Sequence, residues 1–191
     1  MTATSPRAFR PASGLATDLM LAAFLIGLVA AARLLPHPPN VTPAMAAALF
    51  AGATLSRRWL ALAVPLAAML VSDAIIGRDH WAIALTVYAA LALPAAIGMI
   101  ARRYRLSRMF LPAVISGSLV FFVMSNFAVW LFSGMYSLDA AGLAACYVAA
   151  LPFLQYSLAG DLLWSAVLFG GGVLLMRLNL RPHRDDVLAR P

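Results

Sequence analysis

The chain contains no lysine and no glutamate; all 14 basic residues are arginine and all 7 acidic residues are aspartate. Without lysine there is no Walker A phosphate loop, no Schiff base and no lysine-bound pyridoxal phosphate. Without glutamate there is no H-E-x-x-H zinc site. Energy from ATP would therefore have to come from a partner. The single cysteine, Cys146, excludes an internal disulfide and any four-cysteine metal site, and its default reading is a small apolar filler. No cofactor is implied.

Charge is also scarce. Charged residues make up 11% of the chain, against about 25% in globular proteins. What is present instead is apolar: 63% of the residues are hydrophobic. This composition describes an all-α integral membrane protein with one membrane domain, in contact with lipid on its outer faces. The bias to alanine and arginine suits a GC-rich bacterial genome and hence the bacterial inner membrane.

The apolar runs place helix 1 over residues 17–35, helix 2 over 43–56, helix 3 over 59–76, helix 4 over 81–101 and helix 5 over 110–132. The apolar stretch from Asp139 to Met176 is too long for one span, and Pro152 is expected to divide it. A short helix over 140–151 would then precede helix 6 at 156–176. Residues 1–16 and 178–191 read as polar, disordered tails around a six-helix domain at 17–177. Helix 2 is short for a hydrocarbon core about 30 Å thick, with Thr42 as its expected cap and Pro43 at its first position.

Charge decides whether helix 2 crosses. With six crossings and both termini cytoplasmic, every arginine except Arg33 and Arg78 falls on the cytoplasmic side. That is a strong positive-inside bias, and a helix 2 that turned back would destroy it. The net charge of +7 then belongs to the cytoplasmic leaflet, and no nucleic-acid partner is implied. Trp59 and Trp81 sit at helix ends, as interfacial anchors do. Arg7, Arg10 and Ala30-Ala31-Ala32 also suit a cleaved signal peptide. The apolar stretch is long for one, and its loss would leave an odd number of spans.

Polar residues within apolar helices are costly and mark sites, about 2.5–3.5 kcal/mol for a carboxylate at a helix centre. Asp73 and Asp161 are such carboxylates, and Arg33 is their obvious counter-ion. Arg33, His37, Asn40, Asp73, Asn126, Trp130, Tyr147 and Asp161 all fall toward the outer end, while the inner halves read as almost wholly apolar. A substrate pocket opening outward follows. Each residue also has a plainer reading: helix-end capping for the aspartates, snorkelling for Arg33, interhelical bonding for Asn126 and interfacial anchoring for Trp130. His37, Asp73, Asp79 and His80 follow no metal-ligand spacing. Small residues recur at Ala23, Gly27 and Ala31, and at Ala44, Ala48 and Gly52. Such stripes allow close helix contact, inside the bundle or against another subunit.

Several strings carry a resemblance together: Arg33-Leu-Leu-Pro-His-Pro-Pro-Asn40-Val-Thr-Pro43, Pro65 to Ser72-Asp73, Ser125-Asn-Phe-Ala-Val-Trp130, and Cys146-Tyr-Val-Ala-Ala-Leu-Pro-Phe153 with Gly160-Asp161. Over residues 15–177 the chain resembles an uncharacterised bacterial family of six-helix transport-type proteins. That family is similar to the substrate-binding S components of energy-coupling-factor (ECF) vitamin transporters. The resemblance implies an S-component-like bundle that binds a small-molecule substrate from outside. It also implies a transmembrane coupling subunit with ATPases, docked through helix 1, where Ala23, Gly27 and Ala31 match in kind. No vitamin signature is present, so the ligand does not carry over.

The leading expectation is therefore a non-enzymatic membrane transport protein for a vitamin-like or other micronutrient. Arg33 and His37 would meet a polar or anionic ligand. Asp73 and Asp161 would orient Arg33 or bind a cationic group, and Asn126, Trp130 and Tyr147 would form a wall. One alternative is a structural or assembly subunit. The other is an intramembrane aspartyl enzyme in which Asp73 and Asp161 share a proton.

Overall fold

The computed structural model describes residues 14–38, 40–77, 80–103 and 106–179, without the side chains of 106–108 and 176–179. Arg7, Arg10, Arg78, Asp79, Arg105, Arg181, Arg184 and Arg190 lie outside the described residues, as does most of both expected tails. The described chain is all-helical: α1 (Leu15–Leu34), α2 (Ala44–Thr54), α3 (Arg58–Ile76), α4 (Trp81–Ala101), α5 (Leu106–Phe132) and α6 (Ala140–Asn179). Among the described residues five helices, all but α2, are long and apolar enough to cross a membrane. Their outer faces carry exposed Phe24, Leu70, Ile75, Leu85, Val123 and Leu174, the surface a protein presents to lipid tails.

The exception, α2, lies at the centre. Every one of its 11 residues is buried, and it packs on α1, α3, α4, α5 and α6. A helix apolar on all sides belongs in a core. Its alanines and Gly52 are what let so many neighbours approach. A Cβ on Gly52 would stand 2.0 Å from the Ala95 carbonyl oxygen, and one on Gly98 would stand 2.1 Å from that of Leu49. The α2–α4 contact is therefore backbone against backbone. Lipid tails are as apolar as leucine, so such close packing carries the association that hydrophobic exclusion carries in water.

Side-chain contacts fix the helix directions. Arg33, at the end of α1, bonds Asp73 near the end of α3. Asp18, near the start of α1, meets Ser56 and Arg57 just before α3. So α1 and α3 run parallel, and α2 returns between them. At 1.5 Å per residue α2 spans only about 16 Å; the extended Leu55 and the loop before Ala44 supply the remainder. The Arg102 guanidinium donates to the Leu55 carbonyl at 3.2 Å, which aligns α4 with α2. The helices alternate in direction through the bundle.

Three sequence expectations change. The helix-2 cap is Pro43, with no side-chain hydrogen bond, so Thr42 does not cap it. The helix 5 segment begins at Leu106, ahead of the expected position 110. Pro152 does not divide the last segment: the expected short helix at 140–151 and helix 6 are one 40-residue helix. A proline deletes one helical hydrogen bond and crowds one carbonyl, and alanine-rich flanks and neighbouring helices absorb that loss. Pro65, Pro94 and Pro112 lie inside helices in the same way. The first turns of α6 are further held by α5, where Tyr147 donates to the Val123 carbonyl at 2.7 Å. At about 60 Å, α6 exceeds a ~30 Å hydrocarbon core, and its N-terminal half, paired with α5, continues past the α1–α2 loop.

Candidate functional site

A cavity of about 360 Å³ lies at the end of the bundle where α1 gives way to α2. Its mouth is polar: Arg33, His37, Asn40 and Thr42 come from the end of α1 and the loop and Ser157 from α6, with the buried Asp161 one turn further along α6. Its floor and far wall are apolar, with Met45, Met69, Val87, Leu91 and Phe121. A few polar groups over an apolar base is the usual composition of a small-molecule site.

The loop is placed by local chemistry. Proline fixes φ and keeps residues 35–38 extended. Asn40 then takes φ 62°, the left-handed region that asparagine tolerates better than most residues. The following Val41 N–H donates to the Pro38 carbonyl at 3.1 Å. On the other side Gly160 admits this loop: a Cβ there would meet the Val41 Cα at 3.0 Å. Close approach at Gly160 brings its neighbour Asp161 beneath the loop.

Arg33 and Asp73 form an ion pair at 2.6 Å, and Tyr88 donates to the other Asp73 oxygen at 2.7 Å. The guanidinium also sits 2.8 Å from the Met69 sulfur, while its Nε is buried without a hydrogen-bond partner. Arg33 lines the cavity and Asp73 stands behind it. This arrangement fits an aspartate that holds Arg33 in place.

Asp161 is differently served. It is 6% exposed and accepts one hydrogen bond, from Ser118 at 2.6 Å. The same hydroxyl lies 3.0 Å from the Val114 carbonyl, so its single hydrogen faces two acceptors. Among the described residues no arginine or histidine nitrogen lies within 4.0 Å of Asp161. One turn further along α6 the buried Ser165 hydroxyl has no partner. Asp73 and Asp161 thus bond different residues and share no hydrogen bond.

Of the residues singled out in sequence, Arg33, His37, Asn40 and Asp161 line the cavity, and Asp73 joins it through Arg33. Asn126, Trp130 and Tyr147 are elsewhere. Asn126 donates to the Phe122 carbonyl of its own helix, Trp130 to the Ser137 carbonyl, and Tyr147 to Val123. The last two tie the α5–α6 hairpin together. Sequence reasoning missed Tyr88 and Ser118, which carried no signal beyond being polar in apolar helices.

It also missed Asp18. This aspartate is fully buried at the far end of the bundle. It accepts a hydrogen bond from the Ser56 hydroxyl and lies 3.4 Å from the Arg57 guanidinium. The end of the bundle opposite the cavity is therefore not wholly apolar. The charge pattern could have shown it, since Asp18 is a third acidic residue inside an apolar run.

The two small-residue stripes part company. Ala44, Ala48 and Gly52 are buried within the bundle. Ala23, Gly27 and Ala31 are exposed, and a Cβ on Gly27 would meet nothing within 4 Å.

The profile of DUF6580, a family of unknown function, matches residues 14–182, and the chain belongs to that family. Neither a curated protein nor a solved structure matches the chain.

Proposed function

For this member of a family of unknown function, we propose that the protein is a substrate-binding membrane transport protein of the bacterial inner membrane. Both termini face the cytoplasm and the cavity faces outward to capture a small molecule for uptake. The observation that carries this reading is the cavity itself. Polar groups ring its mouth, apolar side chains close its base, and a buried carboxylate with a single protein donor lies between them. Arg33, His37 and Asn40 meet the ligand at the mouth, and Asp73 with Tyr88 fixes Arg33. Kinship with S components of ECF transporters is part of the proposal, as is an energy-supplying partner, because the chain has no lysine for a phosphate loop.

The exposed Ala23, Gly27 and Ala31 stripe supports docking of that partner, and it equally supports the second reading, an assembly subunit. A paired-aspartate enzyme gains nothing from two carboxylates that bond separate partners.

The test is mass spectrometry of small molecules retained by the purified protein, with uptake measured in a deletion strain. A retained compound whose uptake falls in the deletion, and whose retention falls in Arg33→Ala, is the expected result. Unchanged uptake with nothing retained would sink the transport reading. Crosslinking from position 27 that captures a large complex while uptake is unaffected would favour assembly.

A further inference from the structure

Resting on that pocket reading, we infer that the cavity selects small organic monocations, with a protonated amine seated on the Asp161 carboxylate. Three observations lead there. The first is charge. Arg33 is cancelled by Asp73 at 2.6 Å, and no described cation lies within ion-pair distance of Asp161. The cavity wall therefore carries one carboxyl group without a protein counter-ion.

The second is hydrogen-bond supply. A carboxylate offers about four lone-pair sites. Asp161 fills one of them, from a Ser118 hydrogen that Val114 also attracts. Two further polar groups of the lining, His37 and Ser157, are also disposed to accept. His37 Nδ1 lies 2.7 Å from the Leu35 carbonyl oxygen, which obliges that nitrogen to donate and leaves Nε2 of the neutral ring as an acceptor. Ser157 gives its hydrogen to the Phe153 carbonyl at 3.0 Å, and its oxygen is left to accept. A primary ammonium brings three donors to such a set, whereas an anion brings none.

The third is shape. Phe121, Leu91, Val87 and Met45 make an apolar wall in a cavity of about 360 Å³. That room suits a small cation with an apolar body and excludes a large polar one.

The experiment uses three probes of one shape and different charge: phenethylamine, 2-phenylethanol and phenylacetate. Binding to the purified full chain in lipid nanodiscs is read by titration calorimetry. Phenethylamine should bind about tenfold or more tightly than either of the others, the value of one charge-assisted hydrogen bond. Asp161→Asn should abolish that preference, and Asp161→Glu should retain it. If Asp161→Asn does not fold, the wild-type chain still gives a direct reading. A hydrophobic carbodiimide should modify Asp161, as seen by peptide mass spectrometry, and phenethylamine but not phenylacetate should protect it.

Equal or tighter binding of phenylacetate or 2-phenylethanol, or absence of protection, would overturn the cation assignment and leave the pocket reading standing. Failure of all three probes to bind would likewise overturn the cation assignment, whereas the pocket reading falls only on unchanged uptake with nothing retained.

Discussion

Single residues divide here into those that hold a shape and those that face the cavity. Asp73 is of the first kind. Removing one partner of a largely buried ion pair leaves the other charge stranded, so Asp73→Ala should cost about 3 kcal/mol or more. Tyr88→Phe removes one hydrogen bond and should cost about 1 kcal/mol. Thermal unfolding in detergent, compared across the two variants, checks the ordering. Asp139 caps α6, accepting from the Gly142 N–H at 2.7 Å and from the Ser137 hydroxyl at 3.0 Å. The Gly142 N–H, and secondarily the Ser137 hydroxyl, hold its carboxyl below the usual range. A carboxyl lowered on folding stabilises above its unfolded pKa and loses that effect as pH falls through its folded value. The first turn of α6 should therefore open toward strongly acidic pH, and in Asp139→Asn that acid dependence should vanish. Amide exchange at Gly142 reads both.

At the scale of elements, the glycines separate what is packed from what is free. Gly52→Ala and Gly98→Ala each drive a methyl into a carbonyl of the neighbouring helix, and each should destabilise the bundle by about 1–3 kcal/mol or more. Gly27→Ala should leave stability unchanged or slightly improved, since alanine is the better helix former by about 1 kcal/mol. Folded yield by size-exclusion chromatography distinguishes them. Spacing alone could not. Both small-residue stripes follow one sequence rule, and only the neighbours of each helix decide which is covered. The long helices and the Pro-rich loop were legible because hydropathy and proline act locally. The continuity of α6 was not, because the fate of Pro152 depends on α5 alongside. For the same reason Arg33, His37, Asn40 and Asp161 could be grouped by depth, while Asn126, Trp130 and Tyr147, grouped with them in sequence, lie further along the α5–α6 hairpin in a different contact.

At the scale of the whole molecule, alternation of helix direction puts the start of α1 and the end of α6 at the same end of the bundle, opposite the cavity. With the proposed orientation, Ser137→Cys in a Cys146→Ala background should react with a membrane-impermeant maleimide in intact cells. Arg103→Cys in the same background should react only after permeabilisation. The reverse pattern would invert the topology and turn the cavity toward the cytoplasm. The enclosed α2 has a further consequence for how the protein is made. Its principal neighbour, α4, follows α3 in the chain and has not yet emerged when α2 leaves the ribosome. Until then α2 is a helix too short to match the bilayer, with its glycine face unmet. A chain halted before α4 should therefore be a target for quality-control proteases, and membrane insertion and attainment of the native state should be separate events in time.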